Sequence, residues 1–158
     1  MPRRPLWRRV RQTSDSKPLL FVRVAAGLPL LFYGGLHLLQ PTDFLALLHA
    51  TGILPEEVML VVIPLAEMIA GILVLVGVWA RVGALLAVLV MIPALHTSLT
   101  LAGGSGGADA AVIPQAPPLW VPVMVLVCAM AVLSWGAGAF SADFRRTRPE
   151  AEEAAANG

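Results

Sequence analysis

Three polar residues that could take part in proton transfer lie inside otherwise apolar stretches: Tyr33, Glu67 and His96. Carboxyl and imidazole groups are common proton donors and acceptors in proteins. A count of about 1.5 Å per residue from the turn at Arg81 places Glu67 and His96 at the same depth, roughly 20 Å along two adjoining segments. We therefore predict that Glu67 and His96 face each other and form a catalytic pair that handles protons.

Other polar groups near this depth extend the predicted site. Tyr33 falls at a similar level on the first apolar segment, and His37 lies one turn further along it. A ligand-binding site would then be formed by Tyr33, His37, Glu67 and His96.

Alternative interpretations of these residues stay open. A Glu and a His that bond to each other can hold two helices in register without any chemistry. A b-type haem held by His37 and His96 is disfavoured, because the depths of the two residues differ by several ångströms. The single cysteine, Cys128, excludes an oxidoreductase that uses its own cysteine pair and also a Cys-rich metal centre. We predict no metal site.

Four apolar runs must position these residues. They are residues 19–39, 58–80, 82–101 and 119–140. Each run is long enough to cross a hydrocarbon core of roughly 30 Å. Hydrophobic residues make up 58% of the chain and charged residues 13%, which leaves no room for a separate soluble domain. The sequence predicts an all-α membrane protein whose one domain, residues 18–143, is a bundle of four transmembrane helices.

A shorter helical pattern connects the first two spans. Thr42 is a suitable N-cap, and Gly52 is a typical stop signal. The segment between them is too short to cross a membrane. We expect a short amphipathic helix at the membrane interface.

Basic residues are confined to one side of the predicted bundle. All eleven Lys and Arg residues fall in the N-terminal region up to Arg23, in the turn at Arg81 or in the C-terminal tail. The positive-inside rule then places both termini in the cytoplasm and the protein in the inner membrane as a multi-pass protein. The basic arm, residues 1–17, is expected to bind anionic lipid rather than nucleic acid. The tail, residues 144–158, is expected to be disordered.

Three charged residues are predicted to meet at the cytoplasmic face. Arg23, Arg81 and Asp143 lie at the starts or ends of three different spans and at nearly the same level. The long Arg23 side chain is expected to snorkel to the interface. We interpret the three residues as a structural ion cluster that ties helix ends together.

Several segments together resemble the DoxX family. They read FVRVAAGLPLLFYGGLHLL, AEMIAGILVLVGVWARVGALL, a single His in the third span, and WGAGAFSAD. The resemblance extends from about Phe21 to Asp143. The family's polar positions fall on Arg23, Glu67, Arg81, His96 and Asp143. His37 stands where the family pattern favours a Lys.

The resemblance implies a redox-associated membrane subunit, since some members are linked to quinone-coupled oxidation of sulfur compounds or to oxidative-stress assemblies. Under this hypothesis the bundle binds a quinone or a small substrate, no cofactor is covalently attached, and soluble or membrane partner proteins supply other redox centres. A non-enzymatic scaffold or assembly factor is the alternative. Transport of small solutes or lipids is less favoured, because four spans per chain would need a homo-oligomer to form a pathway. The oligomeric state stays open.

Overall fold

The computed structural model describes residues 18–103, 116–138 and 140–142. Five helices make up most of this part of the chain. They are α1 (Leu19–Leu39), α2 (Pro41–Thr51), α3 (Glu56–Val76), α4 (Ala80–Ala102) and α5 (Trp120–Trp135). The described residues contain no strand, so the all-α prediction is confirmed. The basic arm, the acidic tail and most of the loop between α4 and α5 lie outside the described residues.

Glycines set the ends of two helices. Gly77 has a φ of 70° and ends α3, and the three residues from Gly77 to Trp79 form the turn to α4. Gly136 has a φ of 81° and ends α5 after 16 residues. The predicted fourth span ran to residue 140, but the backbone leaves the helix at Gly136 because this φ is incompatible with a right-handed helix.

Three helices meet the length and composition needed to cross a membrane. These are α1, α3 and α4, with 21, 21 and 23 residues. Helix α5 is equally apolar but shorter. Large apolar side chains on the outward faces of these helices are exposed, including Phe21, Phe32, Leu89 and Val127. A lipid environment suits such faces, since the bilayer takes the place of water around them.

The short helix α2 packs against the other helices through one face. Pro41 occupies its first turn, and Gly52, with a φ of 68°, ends it, so the predicted stop at Gly52 is confirmed. The N-cap is Gln40 rather than Thr42. Buried Phe44, Leu47 and Leu48 form a small core with Ile63 of α3. Helix α2 is thereby held over one end of the bundle.

Helices α1, α3, α4 and α5 pack in a ring in which each helix contacts two others. Small residues bring α1 and α3 close together, and a Cβ atom on Gly34 would lie 3.0 Å from the Cβ of Glu67 and from the carbonyl oxygen of Pro64. Gly27 and Gly71 make a second close approach further along the same pair. Because these contacts have no room for larger side chains, they fix how α1 and α3 are turned toward each other.

The bundle has two distinct ends. At the α2 end, α1 and α4 finish and α3 and α5 begin. At the Arg81 end, α1 and α4 begin and α3 and α5 finish. The candidate site lies toward the α2 end.

Candidate functional site

The centre of the site is a buried pair formed by His37 and Glu67. The Nδ1 atom of His37 lies 3.0 Å from Oε2 of Glu67, and both side chains are almost fully buried. When Glu67 is ionised, its carboxylate only accepts hydrogen bonds and the Nδ1–H of His37 donates to it. The imidazole is held in one orientation by this bond, as in other carboxylate–histidine pairs.

Local helix geometry explains why these two residues meet. The buried residues of α1 recur at three- and four-residue steps, and His37 continues the row that contains Leu30 and Gly34. Glu67 lies in the corresponding buried row of α3. Since Gly34 lets the backbone of α1 approach Glu67 directly, a side chain one turn beyond Gly34 reaches the carboxyl group.

Two aromatic rings lie close to the imidazole. The Phe44 ring of α2 stacks on His37 with centroids 3.9 Å apart and planes 16° from parallel. The Tyr33 ring is tilted to the imidazole by 43°, with a centroid distance of 6.2 Å. Three elements thus restrict the ring of His37: its own helix, the Glu67 carboxyl group, and α2.

His37 and Glu67 line a largely apolar pocket inside the α2 half of the bundle. Its volume is about 550 Å³ when the space at its open mouth is included. All five helices contribute to the wall. Besides the pair, its wall includes Tyr33, Ile53, Thr97 and Pro117. We call this space the His37 pocket.

One ring nitrogen of His37 has no partner among the described residues. Its Nε2 atom is buried and forms no hydrogen bond with them. Burying a polar atom without a partner costs roughly 1–3 kcal/mol. When Nδ1–H donates to Glu67, Nε2 of the neutral ring carries a lone pair. A molecule in the pocket with a hydroxyl group, or a carbonyl group when the ring is protonated, would satisfy it.

The structure places His96 away from this pair, so the predicted contact between Glu67 and His96 is wrong. His96 is exposed, and its Nε2 lies 3.3 Å from the carbonyl oxygen of Thr51 at the end of α2. Its place on the outward face follows from its four-residue spacing from exposed Ile92.

The depth count failed because it started at the wrong residue. Gly83 of α4 packs against Leu73 and Val74 of α3. Counting about seven residues along each helix from this contact sets Glu67 level with about Val90. His96 is therefore roughly 9 Å nearer the α2 end than Glu67.

At the opposite end, Arg23 is buried rather than snorkelled to the interface. Its side chain is 1% exposed. Its Nε–H donates to the carbonyl oxygen of Val74 at 2.8 Å, and a terminal nitrogen donates to that of Leu75, both in the last turn of α3. Its other terminal nitrogen donates to the carbonyl oxygens of Ala137 and Phe140. Arg23 thereby caps α3 and binds the segment that follows α5.

The other members of the predicted ion cluster are partly described. Arg81 is half-buried, and one of its terminal nitrogens lies 3.4 Å from the carbonyl oxygen of Ser134. Asp143 lies outside the described residues. The predicted pairing of Asp143 with Arg23 or Arg81 therefore stays a prediction.

Comparison with known proteins shows to which family this chain belongs. A family model described as DoxX matches residues 18–103, which is more than half of the 158-residue chain. The chain belongs to the DoxX family. No curated protein and no solved structure matches it. The resemblance read from the sequence is thus confirmed, and the DoxX match covers helices α1 to α4, which supply most of the His37 pocket.

The quinone implied for some DoxX proteins fits the residues of this pocket. A quinone headgroup is a flat ring with oxygen atoms at its edge, and the pocket offers a largely apolar wall with one buried nitrogen that bonds to none of the described residues. Haem ligation by His37 and His96 does not fit, since Nδ1 of His37 bonds to Glu67 and His96 bonds to Thr51 on another face. The described residues contain no cluster of three metal-ligating side chains.

Sequence reasoning placed Tyr33, His37 and Glu67 in the site but missed the central bond between His37 and Glu67. The row of small and buried residues on α1 that leads through Gly34 to His37 could have revealed it. The stacking of Phe44 was also missed. No sequence pattern predicts this stacking of Phe44 on His37, because α2 could dock on the bundle in several ways.

Proposed function

We propose that this DoxX-family membrane protein is a redox-associated subunit that binds a quinone or quinol headgroup in the His37 pocket. The observation that carries the proposal is the buried Nε2 atom of His37, which has no hydrogen-bond partner in the described part of the chain and belongs to a residue of a largely apolar wall. Ligand sites of this kind are mostly apolar and hold a few polar groups that orient the ligand.

Each residue has a defined part in this proposal. A bound quinone would supply a carrier of two electrons and two protons. Nε2 of His37 would hydrogen-bond to a headgroup oxygen and hold or release a proton there. Glu67 would orient the ring and stabilise its protonated form through Nδ1. The apolar wall would accept the ring, and a partner protein with its own redox centre would exchange the electrons.

The binding experiment uses the purified protein in lipid nanodiscs, titrated with decylubiquinone as the probe. The parent protein should bind about one molecule per chain. His37→Asn should bind about ten-fold more weakly, which corresponds to about 1.4 kcal/mol. Asn places an amide nitrogen where Nδ1 lies, so it can still donate to Glu67, but it has no atom in place of Nε2.

A matched variant controls for the loss of a histidine. His96→Asn makes the same replacement outside the wall of the pocket and should bind like the parent. A parent protein that binds no decylubiquinone, and from which no lipid-soluble molecule can be extracted, would instead favour the scaffold or assembly factor. Equal binding by parent and His37→Asn would reject the assigned role of Nε2.

We further propose that α1, α3, α4 and α5 all cross the inner membrane, with α2 at its outer interface and both termini in the cytoplasm. The one-sided distribution of Lys and Arg supports this orientation. Fusions after Gly104 and at the C-terminus test it. Alkaline phosphatase should be active only after Gly104, and green fluorescent protein only at the C-terminus. The reverse pattern would contradict the orientation.

A further inference from the structure

We propose that the His37 pocket exchanges protons only with the aqueous phase at the α2 end, so that quinone chemistry in the pocket takes up or releases protons on one side of the membrane. This inference rests on the proposed function and assigns a direction to it. It is carried by the unequal distribution of polar side chains on the two sides of Glu67.

Between Glu67 and the Arg81 end, the described segments of α1, α3 and α4 have no side chain that could relay a proton. From Val24 to Phe32 in α1, from Met68 to Val76 in α3 and from Val82 to Ala94 in α4, every residue is apolar or glycine. The packed interior at this level consists of fully buried small and branched residues. They are Ala26, Val74, Ala84, Ala87, Ala129 and Val132. We call these six residues the apolar plug.

The plug is also tightly closed. All six residues are completely shielded within the chain, and close-packed apolar side chains leave no polar partner for a water molecule. In α5 the polar-capable residues at this level are Cys128, which is half-buried, and Ser134, which is exposed. A proton at Glu67 therefore has no route to Arg23 through the buried side chains that the structure describes.

Toward the α2 end, by contrast, several polar side chains lie in or near the pocket. Thr97 lines it, and the hydroxyl group of neighbouring Ser98 lies 3.0 Å from the carbonyl oxygen of Pro117. The rim residues Ile53 and Pro117 are only half-buried. His49 and Glu56 form a hydrogen-bonded pair, and the His49 side chain is 80% exposed. His37 itself lies two residues from the end of α1.

The proton balance follows from this geometry. Reduction of one quinone takes two electrons from the redox partner protein and two protons from solution. Each proton would pass to a headgroup oxygen from Nε2 of His37, which would then be reprotonated from the α2 end. Glu67 and Tyr33 are the titratable groups that line the pocket with His37, and α4 and α5 contribute none to its described wall.

Silver-ion protection of introduced cysteines tests this inference without any quinone. In a Cys128→Ala background, Thr97→Cys places a thiol in the pocket and Ala87→Cys places one in the plug on the same helix. Glu57→Cys and Trp79→Cys are exposed reference positions at the two ends. Vesicles are treated with silver nitrate from one side in chloride-free buffer, and the remaining thiols are alkylated after denaturation.

Silver should block alkylation of Thr97→Cys only when it is applied from the side on which it also blocks alkylation of Glu57→Cys. Ala87→Cys should be alkylated whichever side the silver is applied from. The inference would be overturned if silver applied from the Trp79 side blocked alkylation of Ala87→Cys or of Thr97→Cys. It would also be overturned if silver blocked alkylation of Thr97→Cys from neither side. Melting temperatures near that of the background protein establish that each variant is folded. Because no quinone is present, a failure here is separate from a failure of the decylubiquinone titration.

Discussion

Arg23 and His37 are both buried polar residues of α1, near opposite ends of the same helix, and they are satisfied in different ways. All three guanidinium nitrogens of Arg23 donate to backbone carbonyl groups of α3 or of the segment after α5. His37 uses one ring nitrogen for Glu67, and its other ring nitrogen lies in the wall of a pocket with no bond to any residue that the structure describes. A fully bonded buried polar group is typical of structural roles, whereas an unpaired one points to a ligand.

The two ends of the bundle differ accordingly. The Arg81 end is closed by the apolar plug and tied by Arg23, while the α2 end contains the pocket and its polar rim. A substitution at the first end should act on stability alone, whereas one in the pocket at the second end should also change quinone binding.

Removing the Arg23 guanidinium should destabilise the protein most. Arg23→Met would leave the carbonyl oxygens of Val74, Ala137 and Phe140 without this donor in a buried site. Each unpaired group costs about 1–3 kcal/mol, so we expect a total loss of about 3 kcal/mol or more. Thermal unfolding in detergent, followed by circular dichroism, measures it.

Arg81→Met is the matched control, since it removes a basic side chain from the same end. Arg81 is less buried, and its bond to Ser134 is long at 3.4 Å, so the melting temperature should fall less. Equal losses for the two variants would show that net charge, rather than the bonds of Arg23, stabilises this end.

Replacing Glu67 should separate hydrogen bonding from proton exchange. Glu67→Leu leaves the Nδ1 of His37 buried without a partner and should cost about 1–3 kcal/mol of stability. Glu67→Gln can keep a hydrogen bond and should unfold near the parent temperature. If the redox proposal is correct, Glu67→Gln should still impair quinone turnover with the partner protein, because an amide does not exchange a proton.

The outcome for Glu67→Gln decides between two interpretations of the pair. Parental stability with parental decylubiquinone binding and turnover would leave the pair with a purely structural role. A Glu67→Leu variant as stable as the parent would contradict the bond to His37 itself.

Adding one methyl group between α1 and α3 should disturb the site through the packing of these two helices. In Gly34→Ala the new Cβ would lie 3.0 Å from both the Glu67 Cβ and the Pro64 carbonyl oxygen. Overpacking of this kind costs about 1–3 kcal/mol, and the shift of Glu67 should weaken decylubiquinone binding. Gly35→Ala is the control, because a Cβ on Gly35 meets nothing within 4 Å. Identical behaviour of the two variants would refute the close approach.

The smallest effect is expected at His96. His96→Ala removes one hydrogen bond to the Thr51 carbonyl group, at the partly exposed end of α2. The loss should be about 0.5–1.5 kcal/mol, seen as faster amide hydrogen exchange in α2 and a small drop in melting temperature. A loss as large as that of Glu67→Leu would mean that His96 does more than hold α2.

Much of the fold could be predicted because it depends on local patterns. The apolar runs predicted α1, α3, α4 and α5, although the run that ended at residue 140 concealed the end of the shorter α5 at Gly136. Gly52 ended α2 as expected. Such features follow from helix periodicity and from the conformational freedom of glycine, which are properties of short stretches of chain.

The site could be predicted only in part. Tyr33, His37 and Glu67 were included because polar residues in apolar segments are few, and each needs a partner. The pairing was wrong because a count along two helices leaves the rotation of each helix undetermined. A start at Arg81, rather than at the contact between Gly83 and Leu73, also shifted the register.

The order of residues was enough to predict an all-α member of the DoxX family, with apolar helices and few polar residues inside them. Which of these polar residues bond to each other depends on how the helices pack. The close approach at Gly34 turns His37 toward Glu67, and the docking of α2 lays Phe44 on the ring. Helix formation depends on neighbours along the chain, whereas the orientation of a side chain inside a bundle depends on the packing of several helices at once.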